Sequence, residues 1–227
     1  MSEFRSSAAT DPGARPYNED AYIDRPDLGL WAVADGVGGH RDGNVASGCI
    51  VAALEAIPAG LDAGEALAAV RQAMDAVHAD LRRRAAGSIV ASTVVVLLAR
   101  DGHFACLWAG DSRAYLLRDG QLTQVTRDHS MVQEMVDAGV LAADKAEGHR
   151  NANVITRAVG DDAEALVLDK MSGPLLPGDR FVLCSDGLTK SVPEVEIAAL
   201  AGAGGDAGRL VREALDRRMS DMEKSVD

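Results

Sequence analysis

Ser92-Thr93-Val94-Val95-Val96-Leu97-Leu98-Ala99 is a nearly unbroken run of β-branched and aliphatic residues. A run of this kind reads as a strand buried on both faces, so its sheet needs a covering layer on each side. Asp101-Gly102 follows as a two-residue hairpin turn into Phe104–Ala109. A second strand pair, Arg113–Leu117 and Leu122–Thr126, turns at Asp119-Gly120. The centre of the chain is therefore an antiparallel meander. Upstream, Asp20–Asp24 and Leu28–Ala34 read as two more strands joined by a Pro-containing turn. Downstream, strands are expected at Val154–Ala158, Ala165–Asp169 and Arg180–Cys184.

Helical spacing brackets this block. Val45, Cys49, Ile50, Ala53, Leu54 and Ile57 share one face of a helix over Asn44–Ile57, which Pro58 and Gly60 stop. Leu67, Val70, Met74, Val77 and Leu81 form a narrow stripe over Ala63–Ala85, with His78 off the stripe and expected to face solvent. Asp128–Gly139 reads as a short amphipathic helix, with Asp128-His129-Ser130 read first as its capping sequence and second as a site element. Asp42 is expected to cap the first helix. Glu194–Ala201 and Asp206–Met219 are the closing helices, and Asp144–Asn153 is a polar loop. The expected class is α+β: an α-β-β-α sandwich of two mainly antiparallel sheets with a helix pair on each outer face. Residues 1–227 are read as one domain, since no repeat or linker interrupts them.

The net charge of −12 disfavours nucleic acid or an anionic membrane as partner, because a polyanion needs a basic face. Cys49, Cys106 and Cys184 are odd in number and lie in apolar stretches, the pattern of buried free thiols in a reducing compartment. With no apolar leader and no stretch long enough to span a bilayer, a cytoplasmic location is expected.

Three short apolar runs end alike. Leu30–Ala34 leads into Asp35-Gly36, Phe104–Gly110 into Asp111-Ser112, and Phe181–Ser185 into Asp186-Gly187. Asp and Gly are ordinary turn residues, and each pair alone would merely shape its loop. Three strand ends delivering hard oxygens to one sheet rim would instead make a site for Mg²⁺ or Mn²⁺.

Five ordered motifs sharpen this reading: Arg15-Pro16-Tyr17-Asn18-Glu19-Asp20, Ala34-Asp35-Gly36-Val37-Gly38-Gly39-His40, Ala109-Gly110-Asp111-Ser112-Arg113, Thr156-Arg157-Ala158-Val159-Gly160 and Ser185-Asp186-Gly187-Leu188-Thr189. Together they resemble the bacterial branch of the metal-dependent PPM (PP2C-type) protein serine/threonine phosphatases, over Thr10 to Asp221. The resemblance implies the α-β-β-α sandwich fold and two Mn²⁺ or Mg²⁺ ions bridged by Asp35. It further implies Gly36 (through its carbonyl) and Asp186 as ligands, Asp111 holding a third metal, and Glu19 binding through a water. The implied reaction is hydrolysis of phosphoserine or phosphothreonine by attack of a metal-bound water, with Arg15 gripping the phosphate. An ordinary surface arginine is the alternative for Arg15. Phosphorylated proteins made by a bacterial Ser/Thr kinase are the implied partners. His40, closing the glycine turn, is a candidate general acid, although similar eukaryotic enzymes place their histidine where this chain has Val37. The loop Asp144–Asn153 matches the position of a flap beside the active site.

One departure concerns the tail. Similar proteins end with Asp-Asn, then Thr and a Val run that forms a last core strand. Here Ser220-Asp221 matches the start, and Met222-Glu223-Lys224-Ser225-Val226-Asp227 replaces the rest. Asp221 is the implied further ligand. A catalytically impaired module of the same fold, used for phosphoprotein binding or regulation, is the rival reading; an unrelated metal-binding α+β protein is another.

Overall fold

A computed structural model describes residues 4–37, 42–85 and 89–224, with the side chains of the last helix followed to residue 219. Its strands are β1 (Asp20–Arg25), β2 (Leu30–Val37), β3 (Ala91–Ser92), β4 (Val94–Arg100), β5 (His103–Ala109), β6 (Arg113–Arg118), β7 (Gln121–Gln124), β8 (Asp169–Pro174) and β9 (Arg180–Cys184). The helices are α1 (Asp42–Glu55), α2 (Ala63–Arg84), α3 (Met131–Asp137), α4 (Asp186–Thr189), α5 (Glu194–Gly202) and α6 (Ala207–Lys224).

One sheet runs β1-β2-β4-β5-β8 with β3 paired to β2; the other runs β7-β6-β9, and all named pairings are antiparallel. Strand alternation builds three hydrophobic layers. Leu30, Ala32, Ala34, Val94, Val96, Leu98, Leu107 and Ala109 face α1 and α2 and form the large core with Ile50, Leu54, Val70, Met74 and Leu81. Val95, Cys106 and Trp108 point the other way, onto Ala114 of β6, with Val33 and Leu183 beside them. Val192, Ile197, Leu210 and Ala214 close the outer face of the smaller sheet against Leu122 and Val182. This is the expected α-β-β-α sandwich. Asp62 opens α2 with a capping box: Glu65 N–H donates to its carboxylate, and Glu65 accepts from its N–H.

Four expectations need correction. Val154–Ala158 is not a strand; Ile155 makes an isolated bridge to Ser130, and Val159, just beyond the segment, makes one to Ser92. The strand expected at Ala165–Asp169 lies instead at Asp169–Pro174, an edge strand on β5 whose Gly173 and Pro174 hid it from a search for apolar alternation. His78 is buried, 3% exposed, because its ring bonds to the 160–163 loop rather than to water. Asp42 is the first residue of α1 rather than a cap preceding it. The short helix α4 was not expected.

Among the described residues the smaller sheet ends at β9. A cleft of about 1400 Å³ opens beside it, lined by Trp31, Val33, Leu97, Phe181, Leu183 and Leu215, and its lining includes Asp20 and Ser185. The backbone from Ser220 to Lys224 continues α6 as helix. The ligand role expected for Asp221 therefore falls outside the described side chains.

Candidate metal centre

The register of β1 on β2 decides the first half of the site. Asp20 stands directly across from Asp35, so both carboxylates project from one face of the sheet at its rim. On β2 that face also carries Trp31 and Val33, the residues turned toward the second sheet. Ser185 Oγ, at the end of β9, donates to Asp20 Oδ2 at 2.8 Å and ties the second sheet to the first. Asp186 follows it as the first residue of α4. Asp111 enters from the turn between β5 and β6.

Backbone fastening holds these ends together. Asp35 N–H donates to Thr93 Oγ1 (3.1 Å), and Thr93 Oγ1 lies 2.7 Å from Ser112 Oγ. Thr93 N–H and Ser92 Oγ both donate to the Asp35 carbonyl. Thr93 and Ser112 are fully buried, so this hydroxyl pair links the Asp35 end of β2 to the Asp111 turn. Gly36 N–H and Ser47 Oγ donate to the Glu19 carbonyl. A Cβ on Gly36 would meet the Gly43 carbonyl oxygen at 2.1 Å, so only glycine lets β2 pass the first turn of α1 this closely.

The electrostatics are those of crowded carboxylates. Burial, and then the charges of Asp20, Asp186 and Asp111, push the Asp35 pKa up to about 9. Burial, with Asp186 and Asp128, lifts Asp111 to about 6. Asp20 is raised by burial, against the opposing hydrogen bonds of Ser185 and Asp35. Lys190 pairs with Asp186 from one turn along α4 and also donates to Asn153 Oδ1 at 2.6 Å, which ties the 143–153 loop to the site. Glu19 Oε2 accepts from Arg15 Nη1 at 2.8 Å, whereas Glu19 Oε1 is buried with no hydrogen-bond partner among the described residues. An orphaned buried carboxylate oxygen beside repelling carboxylates fits hard divalent cations and the water they carry. Among the described residues no three His, Cys, Asp or Glu side chains stand close enough together to hold a metal ion.

The structure thus brings Asp35, Gly36, Asp111, Asp186 and Glu19 into one neighbourhood, with Arg15 at its exposed edge. His40 lies outside the described residues. Sequence reasoning missed Asp20, Thr93, Ser112 and Lys190. Asp20 had a signal, because a strand opening on Asp is itself a strand end carrying a carboxylate; the other three had none.

A family model for protein phosphatase 2C matches residues 16–219, and the chain belongs to that family. Fold and family together define the class, the protein phosphatase 2C family. Among individual relatives, the serine/threonine protein phosphatase PstP of Mycobacterium tuberculosis is 34% identical over 93% of this chain. The chain spans only 42% of PstP's length. The serine/threonine phosphatase stp of Listeria monocytogenes is 34% identical over 86% of this chain and 80% of its own. Of solved structures, PppA, described as a key regulatory component of T6SS in Pseudomonas aeruginosa, superposes with a TM-score of 0.82 at 42% identity, covering 90% of this chain and 87% of PppA. The catalytic domain of PstP in complex with two manganese ions superposes at 0.73 with 33% identity, covering 89% of this chain and 87% of that domain.

Proposed function

We propose that this chain, acting as one catalytic domain, hydrolyses phosphoserine and phosphothreonine in proteins with two Mn²⁺ or Mg²⁺ ions and a third at Asp111. The observation that carries the reading is the convergence of Asp20, Asp35, Asp111 and Asp186, whose burial and then mutual repulsion lift Asp35 to about 9. Buried negative charge of this density is stabilised by bound divalent cations. Asp35, the Gly36 carbonyl and Asp186 would hold the central pair, with Asp20 beside them and Asp221 as a further ligand. Bound there, the ions supply positive charge that acidifies water and offsets the charge of the phosphoryl group.

The chain's own groups do the rest. Glu19 Oε1, buried and without a partner among the described residues, would accept a hydrogen bond from water and so orient it. Arg15, whose side chain is 64% exposed, offers a planar fork that can grip two phosphoryl oxygens while Nη1 stays on Glu19. Lys190 links Asp186 to Asn153, so the 143–153 loop is coupled to a proposed ligand and can influence which phosphopeptide enters.

Substrates of a bacterial Ser/Thr kinase are the natural partners. The acidic chain offers no footprint for nucleic acid, and no helix among the described residues is long and apolar enough to cross a membrane. The free thiols, with Cys106 and Cys184 pushed up to about 12 by burial, suit the reducing cytoplasm.

The test is hydrolysis of an aryl phosphate and a phosphothreonine peptide with Mn²⁺, with and without chelator. Turnover that survives full chelation overturns the reading. The rival reading, a phosphoprotein-binding module, expects peptide binding with no Mn²⁺-dependent turnover.

A further inference from the structure

We infer that His129 is a positioning residue, which clamps the Gly110 peptide from both sides and thereby fixes the carboxylate of Asp111. The backbone N–H of His129 donates to the Gly110 carbonyl at 2.9 Å, and the Gly110 N–H donates to His129 Nδ1 at 3.2 Å. One residue thus satisfies both backbone polar groups of Gly110, the residue on which the Asp111 turn pivots. Gly110 sits at φ +107°, and a Cβ there would strike Thr93 Cβ at 2.6 Å. The turn therefore takes a left-handed conformation that glycine adopts readily and that a side chain would be excluded from, and its backbone groups are fixed by these partners.

The ring is itself held on three sides. Trp108 stacks on it at 6.2 Å with planes 15° apart, and Trp108 Nε1 is anchored to the Arg127 carbonyl at 2.8 Å. The Thr156 N–H donates to the His129 carbonyl, pinning the backbone. Because Nδ1 accepts from Gly110, the ring hydrogen resides on Nε2, which donates to Asp169 Oδ2 at 3.2 Å. Arg157 Nη1 also lies 3.1 Å from Nε2, but both atoms carry hydrogens; Asp169, 2.8 Å from that same Nη1, is the acceptor they share. The β5–β8 register sets Asp169 opposite Trp108, so the edge strand delivers the carboxylate to the ring. The chain Arg157–Asp169–His129–Gly110 ends at Asp111. In the sequence His129 looked like part of a capping motif, but the cap of α3 is Ser130, which accepts from Gln133 N–H. That leaves the imidazole free for Gly110.

This inference rests on the proposed ligand role of Asp111 only for its metal arm, so two measurements are made. Deuterium exchange of metal-free protein reads the clamp directly. His129→Ala should speed exchange at the Gly110 amide about tenfold or more, since a buried N–H loses its acceptor. His129→Asn, whose Oδ1 stands where Nδ1 stood, should keep it slow. Calorimetric titration with Mn²⁺ reads the consequence: His129→Ala weakens one binding step about 10- to 100-fold, and His129→Asn recovers most of it. Equal behaviour of the two variants in exchange or in titration overturns the proposal. Should His129→Ala fail to fold, nitrogen NMR of the parent imidazole decides. The Nε2–H tautomer, giving way to a mixture in Asp169→Asn, is expected; an Nδ1–H tautomer in the parent overturns the clamp. A protein that hydrolyses nothing yet gives the expected exchange pattern supports the clamp and counts against the phosphatase reading.

Discussion

Two histidines, His78 buried and His129 half-buried, make the same clip in different parts of the molecule. His129 Nδ1 accepts from the Gly110 N–H, and Nε2 donates to Asp169. His78 Nδ1 accepts from the Gly160 N–H at 3.0 Å, and Nε2 donates to the Ala163 carbonyl at 3.0 Å. Both glycines have positive φ, and both are followed by aspartate. The difference lies in what each aspartate then meets. Asp161 is satisfied by its own loop, accepting from the Ala158 and Ala163 N–H groups. Asp111 is turned into the field of Asp186 and Asp128, where burial and repulsion raise its pKa to about 6. One clip therefore closes a loop over the large core, whereas the other aims a carboxylate at like charges. The clip's chemistry is neutral as to purpose; its surroundings assign the purpose.

The largest expected effect comes from removing the charge that makes the Asp111 side different. Asp35→Asn keeps the shape but takes the central negative charge from the cluster. Mn²⁺-dependent turnover should fall roughly 100-fold or more, beyond the range typical for residues that only support ligands. Melting of the metal-free protein should rise at the same time, because a repulsive buried carboxylate is gone. Steady-state kinetics and thermal melts with and without Mn²⁺ check both.

Phosphate recognition should separate from both clips. Arg15→Ala is expected to weaken inorganic phosphate binding by about 1.5–3 kcal/mol, the scale of a charge-assisted hydrogen bond, while Mn²⁺ titration stays nearly unchanged. If metal affinity collapses and phosphate affinity survives, Arg15 belongs to the metal site instead.

The His78 side should respond in stability alone. His78→Ala orphans the Gly160 N–H and the Ala163 carbonyl, at a cost of about 1–3 kcal/mol for the unsatisfied groups, with Mn²⁺ affinity unmoved. Denaturant unfolding beside calorimetry makes the measurement. A loss of Mn²⁺ affinity equal to that of His129→Ala would erase the distinction between the two clips.

The smallest effect is a pH trend. Asp35 and Asp111 are raised in the folded protein, so between the ordinary carboxylate range and about 9 for Asp35, or about 6 for Asp111, the native state binds more protons than the unfolded chain. Their contribution to stability is complete at low pH and is lost as pH rises through those values. Metal-free protein should therefore melt lower at pH 9 than at pH 6, and Mn²⁺ should flatten or reverse the slope. A metal-free melting curve indifferent to pH over that range would mean that the carboxylates do not repel as described.

Much of this architecture was legible in the linear sequence because its causes are local. The Val94–Leu98 run, the Asp101-Gly102 and Asp119-Gly120 turns and the stripe of α2 each declare an element through neighbours only a few residues apart. Asp35, Asp111 and Asp186 stood out in the same way, as carboxylates at the ends of apolar strands. Tertiary structure alone decided the remainder. Asp20 became a partner of Asp35 through strand register, and β8 was set as a strand by pairing rather than composition. The two histidines were misread for one reason: an imidazole's role depends on what meets its two nitrogens. For His78 that partner is 82 residues away, and for His129 it is a carboxylate 40 residues away on an edge strand. Periodicity reports which face of an element is apolar, but not which distant backbone group will be brought against it.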